Sequence, residues 1–246
     1  AKDFAFWGAQ TLCDDSSDRA NIAQIDLTQK FFMTIAKADY IEGLAKGVSV
    51  LEAFDTERQR LNATLAAQRT GITRAAARRH LLTLAELGYL ETDGAHYWLS
   101  ARVLRLAGSY MATARLPRTL QPTLNRLAAQ TQAAFSAVVL DGDECVIVAR
   151  SAVVAEPVRH LAYGLHLGAR LPAHATSTGR VLLASLPKAD FAAWLKGREL
   201  ARITPQTEVA LPKFKALIEQ VRQTDHCLAR DGHELGIHAL AVPLRN

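Results

Sequence analysis

The sequence predicts an α+β protein with two domains, a small helical one followed by an antiparallel sheet flanked by helices. The chain has 246 residues, 49% of them hydrophobic, which is enough for two ordinary domains with buried cores. Helical periodicity dominates residues 41–116, whereas strand-type runs occur at 90–99, 133–150 and 237–244. Strands that cluster among helices, without a regular alternation of the two, favour the α+β class.

The overall composition indicates a soluble cytoplasmic protein with no membrane partner. The formal net charge is +5, a moderate excess that is compatible with a polyanionic partner. Cys13, Cys145 and Cys227 lie far apart, which argues against a disulfide framework. No apolar run approaches the length of a membrane span, and the N-terminus lacks the basic flank and apolar stretch of a signal peptide.

The first 99 residues are predicted to form an extension and a winged helix-turn-helix domain. Residues 1–40 have no sustained period, although "TQKFFMTIAKA" is compatible with a short helix. A helix follows from Ile41, and a second one has Asn62 as its expected N-cap. The first domain is therefore placed at 41–99.

The rest of that domain is a third helix and a hairpin. Gly71 ends the second helix, Thr73 is the expected cap of the third, and Gly88 ends it. Asp93-Gly94 is then flanked by strand-type residues, which is a strong signal for a tight hairpin. The order helix, turn, helix, hairpin is typical of a winged helix-turn-helix domain.

The third helix has a face suited to a DNA major groove. Ala77, Leu81 and Leu84 form its apolar seam, so the opposite side, with its arginines and small alanines, is expected to face solvent. Guanidinium groups reach phosphates and guanine edges, and small residues allow close approach. A plain solvated face is the alternative interpretation. The predicted DNA-binding residues are Thr73, Arg74, Ala75, Arg78 and Arg79, with His96 on the wing.

The second half of the chain is predicted to be a linker helix and a mixed domain. The linker, residues 100–117, is a helix over Ala101–Leu116 that Pro117 ends. The domain at 118–246 begins with a helix at 123–131 and a strand pair around "DGD". Three further helices and a final strand follow, in "ATSTGRVLLASL", "ADFAAWLKG", "PKFKALIEQVRQT" and "IHALAVPL".

The stretch "PAHATSTGR" is a candidate anion site. Thr176, Ser177 or Thr178 can cap the helix that follows, and a helix N-terminus offers free N–H groups and partial positive charge to a carboxylate. Simple capping is the alternative role for each residue. His174, Ser177 and Asp231 could be imagined as a hydrolase triad, but no Gly-x-Ser-x-Gly elbow surrounds the serine. The histidine spacings match no common zinc pattern, so neither enzymatic activity, a metal nor a cofactor is expected.

Several stretches together resemble the IclR-type family of bacterial regulators. They are "KGVSVLEAF", "LAAQRTGITRAAARRHLLTLAELGYL", "LGARLPAHATSTGRVLLASL" and "HELGIHALAVPLRN", within residues 41–246. The match is closest to the β-ketoadipate branch, whose members govern breakdown of aromatic acids such as protocatechuate and 4-hydroxybenzoate. A repressor that responds to a different small carboxylate is the alternative. In the family another strand normally follows "AVPLRN" and contributes to the sheet and the pocket.

The resemblance implies a fold, partners and site residues. The second domain would be a GAF-like effector-binding domain, and the protein a homodimer or tetramer that binds a pseudo-palindromic operator in double-stranded DNA. This branch usually activates transcription, which adds RNA polymerase as a partner. An enzyme with dimerising N-terminal helices and a ligand-binding module without DNA are the competing hypotheses. The effector site would comprise Ala175, Thr176, Ser177, Asp231, Ile237 and Ala239, with Arg159, His160 and Tyr163 added because they lie near the motif in sequence.

Overall fold

The computed structural model describes residues 4–8, 36–55, 57–151 and 165–245, the first segment by its backbone alone. The described residues form two compact units, with the boundary between Ala114 and Arg115. Residues 4–8 belong to the second unit, together with the chain from Arg115 onward. The predicted helix in "TQKFFMTIAKA" lies mostly outside the described residues.

The first unit has three helices and a hairpin. Helix α1 spans Glu42–Glu52, α2 spans Ala63–Thr70 and α3 spans Arg74–Glu86. Strands β2 (Leu90–Thr92) and β3 (Tyr97–Leu99) pair antiparallel behind them. This is the predicted winged helix-turn-helix order, which is therefore confirmed.

Side-chain caps define the turn between α2 and α3. Asn62 accepts hydrogen bonds from the backbone N–H groups of Thr64 and Leu65, both at 3.0 Å, and so begins α2. Gly71 ends that helix with a φ of 70°, a conformation that costs glycine little. Thr73 then caps α3, as its position in the sequence predicts.

The apolar seam of α3 lies in the core of this unit. Ala77 and Leu81 are fully buried, and Leu84 is nearly so. Leu61 is also buried, and its backbone exchanges hydrogen bonds with Tyr97 of β3 at 2.9 and 2.8 Å. The segment that enters α2 is thereby tied to the wing.

The linker differs from the sequence prediction. Instead of one helix that Pro117 ends, a 3-10 turn and helix α4 (Leu104–Thr113) precede helix α5 (Arg115–Thr131). Extended backbone at Ala114 separates α4 from α5. Pro117 lies in the first turn of α5, where its missing N–H would have no helical acceptor. Pro122 lies inside α5, so the predicted start at residue 123 is also wrong.

The second unit is built on a six-stranded sheet, whose strands are β1 (Phe4–Gly8), β4 (Phe135–Asp141), β5 (Glu144–Arg150), β6 (Arg170–Pro172), β7 (Cys227–Arg230) and β8 (His238–Leu244). All its strand pairs are antiparallel. The short strands β6 and β7 carry no clear signal in the sequence. Across the sheet the strand order is β6-β5-β4-β1-β8-β7.

Strand β1 (Phe4–Gly8) occupies the middle of this sheet. Phe6 is in register with Ala137 of β4 on one side and with Val242 of β8 on the other. In the sequence, residues 1–40 are an extension of unknown role, and in the family a further strand normally follows the segment that forms β8 here. In this chain, residues 4–8 pair with β8.

Helices cover both faces of the sheet. Helix α5 packs on one face, through Leu124 and Ala128 against Ala137 and Ala149. The other face carries α6 (Ser177–Ser185), α7 (Lys188–Leu195) and α8 (Leu211–Thr224). The predicted α+β class is confirmed, and the second face also contains the pocket described below.

Candidate functional site

The exposed face of α3 carries the basic side chains that the sequence places there. Arg74, Arg78 and Arg79 are exposed, as is Ala75. Ala76 is half-buried. The face is therefore small near its N-terminal end and flanked by three guanidinium groups.

Within the described part of the chain, these three arginines have no ion pair or hydrogen bond through their side chains. Other arginines of the same unit are engaged: Arg69 pairs with Asp55, and Arg60 lies 3.5 Å from the Asp93 carboxylate. The contrast leaves the positive charge of α3 available to an external anion, because no carboxylate of the described residues neutralises it.

The wing is a tight hairpin organised by Asp93. Its carboxylate accepts the backbone N–H groups of His96 at 2.7 Å and of Ala95 at 3.0 Å, and these bonds lower the pKa of Asp93. His96 itself is half-buried. Sequence reasoning missed Arg60, whose guanidinium lies 4.4 Å from the centre of the Trp98 ring and adds a cation beside the wing.

The second unit contains a largely apolar pocket between the sheet and the start of α6. The empty space between its lining atoms is about 610 Å³, a figure that includes the solvent at its open mouth. Three of its polar lining residues, Ser136, Ser177 and His233, carry a buried side-chain atom without a hydrogen-bond partner. The apolar lining residues are Val138, Ile147, Leu165, Leu171, Ala175, Ala229, Ile237 and Ala239.

Helix α6 begins at the pocket wall. Thr176 caps it by accepting the backbone N–H of Gly179 at 3.2 Å, as the capping interpretation predicts. The N–H groups of Ser177 and Thr178 in the first turn have no acceptor within a helix, and they add partial positive charge. Ser177 is only 1% exposed, and its hydroxyl lacks a partner, so capping is not its role.

The segment before α6 is clamped by two close backbone approaches. A Cβ on Gly179 would lie 2.1 Å from the carbonyl oxygen of Ala173, and one on Gly232 would lie 2.5 Å from that of Ala175. The buried Arg180 donates from Nε to the His174 carbonyl at 2.9 Å. These contacts fix two walls of the pocket against each other.

The predicted effector residues have three different outcomes. Ala175, Thr176, Ser177, Ile237 and Ala239 all line the pocket. Asp231 does not line the pocket, in contrast to the prediction. Its carboxylate instead accepts the Gly236 N–H at 2.6 Å and so shapes the loop before β8. Arg159, His160 and Tyr163 lie outside the described residues.

Sequence reasoning missed Ser136 and His233. Ser136 interrupts the apolar run "AAFSAVVL" at a position that faces inward, which is the signal that could have revealed it. Burial lowers the pKa of His233, so its ring is neutral near pH 7. Both residues add hydrogen-bonding capacity to an otherwise apolar wall.

His174, the histidine of the candidate triad, does not face a ligand with a free ring nitrogen on Nε2. The ring of His174 is engaged, since Nε2 lies 2.8 Å from the carbonyl oxygen of Ala201. The described ranges contain no group of three or more His, Cys, Asp or Glu residues placed to hold a metal ion. Likewise, no helix in these ranges is both long and apolar enough to cross a bilayer.

Two family models match the chain. Residues 43–94 match the IclR helix-turn-helix domain, and residues 108–246 match the C-terminal domain of the bacterial transcriptional regulator IclR. The first match contains α1 to α3 and ends in the wing, and the second contains the pocket.

Individual relatives give the same result. The chain is 52% identical over 213 residues to the p-hydroxybenzoate hydroxylase transcriptional activator of Acinetobacter baylyi, covering 86% of this chain and 79% of the relative. It is 48% identical over 210 residues to the Pca operon regulatory protein of the same organism, covering 85% and 76%. A crystal structure from Rhodococcus sp. RHA1 superposes with a TM-score of 0.61 at 36% identity, covering 83% of this chain and 86% of that one.

Proposed function

The chain belongs to the IclR family of bacterial transcriptional regulators, and we propose that it activates genes for the breakdown of aromatic acids when it binds such an acid. Its two most informative relatives regulate the Pca operon and p-hydroxybenzoate hydroxylase. The effector would be a small aromatic carboxylate such as 4-hydroxybenzoate or protocatechuate. The protein would act in the cytoplasm and catalyse no reaction of its own.

The observation that carries this proposal is the set of unpaired guanidinium groups on α3. Arg74, Arg78 and Arg79 project from an exposed face whose other residues near the N-terminal end are small. A recognition helix of this kind enters the major groove by its N-terminal part, and the wing contacts the backbone nearby. Thr73, Ala75 and His96 complete the proposed DNA-binding surface.

The pocket supports an aromatic acid as the effector. An apolar slot holds the ring, and the N-terminus of α6 with Ser177 holds the carboxylate through N–H and O–H donors. Ala175 and Thr176 flank that end, whereas Ile237 and Ala239 face it from across the pocket. Among the described lining residues there is no lysine or arginine, and at this end the helix dipole and hydrogen bonds would bind the anion.

Self-association would place two winged-helix domains on one operator. Leu104, Leu106 and Tyr110 of α4 are exposed, as are Leu44 and Val48 of α1, and such apolar side chains suit a symmetric interface. A homodimer or tetramer would bind a pseudo-palindromic operator whose half-site spacing the interface sets. As an activator, the oligomer would also contact RNA polymerase.

Three experiments test this function. Footprinting on the DNA upstream of the gene should show a protected, pseudo-palindromic site. A thermal-shift screen of aromatic acids should raise the melting temperature, since a ligand at 100 times its Kd stabilises by about 2.7 kcal/mol. A reporter fused to that DNA should gain activity with the effector. No footprint would contradict the regulator, and no shift with any aromatic acid would contradict the effector.

A further inference from the structure

Two residues at one end of the pocket face carry buried polar atoms without partners. Ser136 is 2% exposed, and its hydroxyl makes no hydrogen bond. Arg150 is partly buried, and its Nε and Nη2 atoms are shielded from solvent with no acceptor among the described residues. Burial of the guanidinium lowers the pKa of Arg150, which remains cationic.

Such unpaired donors are costly in a folded protein. A buried donor without an acceptor loses its hydrogen bonds to water, and a buried guanidinium loses still more. Native structures satisfy nearly all such groups, so a cluster of exceptions calls for a missing partner. Ser136 and Arg150 can both be satisfied by a hydrogen-bond acceptor, because the serine hydroxyl can donate and Arg150 has only N–H donors.

The register of the sheet brings the two residues together. Ser136 of β4 lies directly opposite Arg150 of β5. Directly opposed residues of an antiparallel pair project from the same face, with Cβ atoms about 5 Å apart. Because Ser136 lines the pocket, Arg150 projects from the pocket face as well.

This pair lies at the far end of the pocket from α6. The Cys145 thiol contacts the hydroxyls of Thr176 and Thr178, and Cys145 is paired with Leu140 of β4. Ser136 is four residues back along the same strand, a distance of about 13 Å at about 3.3 Å per residue. Polar groups thus lie on both sides of the apolar lining residues, and their separation along the strand is comparable to the length of a para-substituted benzene ring with a hydrogen bond at each end.

We propose that Ser136 and Arg150 form a second polar subsite, which binds a ring hydroxyl of the effector at the end opposite its carboxylate. This assignment rests on the proposed function and deepens it. It specifies an aromatic acid with a hydroxyl para to the carboxylate. An unsubstituted benzoate leaves the Ser136 hydroxyl and the Arg150 guanidinium unsatisfied, and a site built to bind a hydroxyl rejects such an analogue strongly.

Calorimetric titration with two probes, benzoate and 4-hydroxybenzoate, tests the subsite. The wild-type protein should bind 4-hydroxybenzoate at least about tenfold more tightly, as expected for one hydrogen bond to a charged donor. Ser136→Ala and Arg150→Gln should each reduce that preference severalfold and leave benzoate affinity nearly unchanged. Ser177→Ala is the matched control, since it should weaken both acids equally at the carboxylate end.

The melting temperature of the unliganded variant distinguishes a role of Ser136 in ligand recognition from a role in folding. Because Ser136→Ala removes an unsatisfied buried hydroxyl, the unliganded variant should melt at the same or a higher temperature than the wild type. The subsite is wrong if the wild type binds both acids equally, or if Ser136→Ala weakens both alike. It is also wrong if terephthalate binds more tightly than 4-hydroxybenzoate, because the subsite would then serve a second carboxylate. Failure of the wild type to bind any aromatic acid would instead overturn the proposed function, and the subsite with it.

Discussion

The two units reach their folds by different routes along the chain. In the first unit, every element from α1 to β3 follows its neighbour within Glu42–Leu99. In the second, the central strand β1 comes from residues 4–8, and its partners β4 and β8 begin at Phe135 and His238. The DNA-binding unit is therefore encoded locally, whereas the effector unit depends on pairing between distant segments, which costs more loop-closure entropy.

The same contrast separates the two candidate sites. The α3 surface lies on one helix, and its side chains follow from helical spacing alone. The pocket draws its walls from β4, α6 and the loop before β8. A change that disrupts long-range packing should therefore damage the pocket and spare α3.

The largest effect is expected from Gly179→Ala in the effector unit. The new Cβ would lie 2.1 Å from the Ala173 carbonyl oxygen, so the clamp before α6 must open, at a cost of about 3 kcal/mol or more. Gly108→Ala in α4 is the control, because nothing lies within 4 Å of its Cβ position. That change should stabilise by up to about 1 kcal/mol.

Hydrogen exchange followed by mass spectrometry checks this prediction unit by unit. Gly179→Ala should lower protection in peptides of α6, β4 and β8, with peptides of α3 unchanged. If Gly179→Ala lowers protection equally in both units, the clamp is not specific to the pocket.

A somewhat smaller effect is expected from Phe6→Pro in β1. Proline removes a backbone N–H from a central strand and leaves an acceptor of the neighbouring strand without its partner, at a cost of about 1 to 3 kcal/mol. The exposed edges of β4 and β8 would also promote aggregation. Phe6→Val keeps the N–H and serves as the control. Urea unfolding monitored on the effector unit measures both, and identical midpoints for Phe6→Pro and Phe6→Val would place β1 outside the sheet.

The sequence predicts the locally encoded unit better than the unit that depends on long-range pairing. Asn62 and Thr73 cap α2 and α3, and Asp93-Gly94 forms the hairpin turn. All of these act through local chemistry, so the winged helix could be predicted almost completely. The role of residues 4–8 could not, because a five-residue strand has no local signal for its partners. Ser136 could have been suspected from its place in an apolar strand, but its pairing with Arg150 depends on register.

Pro117 and Pro122 show a second limit of sequence rules. Pro117 is tolerated in the first turn of α5, but Pro122 lies inside the helix, where proline is a helix breaker by propensity. Leu124 and Ala128 of that helix are fully buried. Their packing against the sheet outweighs the local penalty of proline.

The smallest effect is a pH dependence from His233. Burial holds its folded pKa below the ordinary value, so the unfolded chain binds its proton first as the pH falls through about 6.5. Stability of the effector unit should therefore fall between pH 7.5 and 5.5. His233→Gln should reduce that loss. Urea midpoints of both proteins at the two pH values measure it, and an equal decrease in both would assign the loss to other groups.

The central claim is that α3 binds DNA while a separate unit binds the effector. The most direct test is the double variant Arg78→Ala, Arg79→Ala, measured for affinity to the upstream DNA over a salt series and for 4-hydroxybenzoate by calorimetry. We expect loss of specific DNA affinity, a salt slope lower by about one unit per phosphate contact removed, and an unchanged effector Kd. DNA affinity equal to that of the wild type would contradict it.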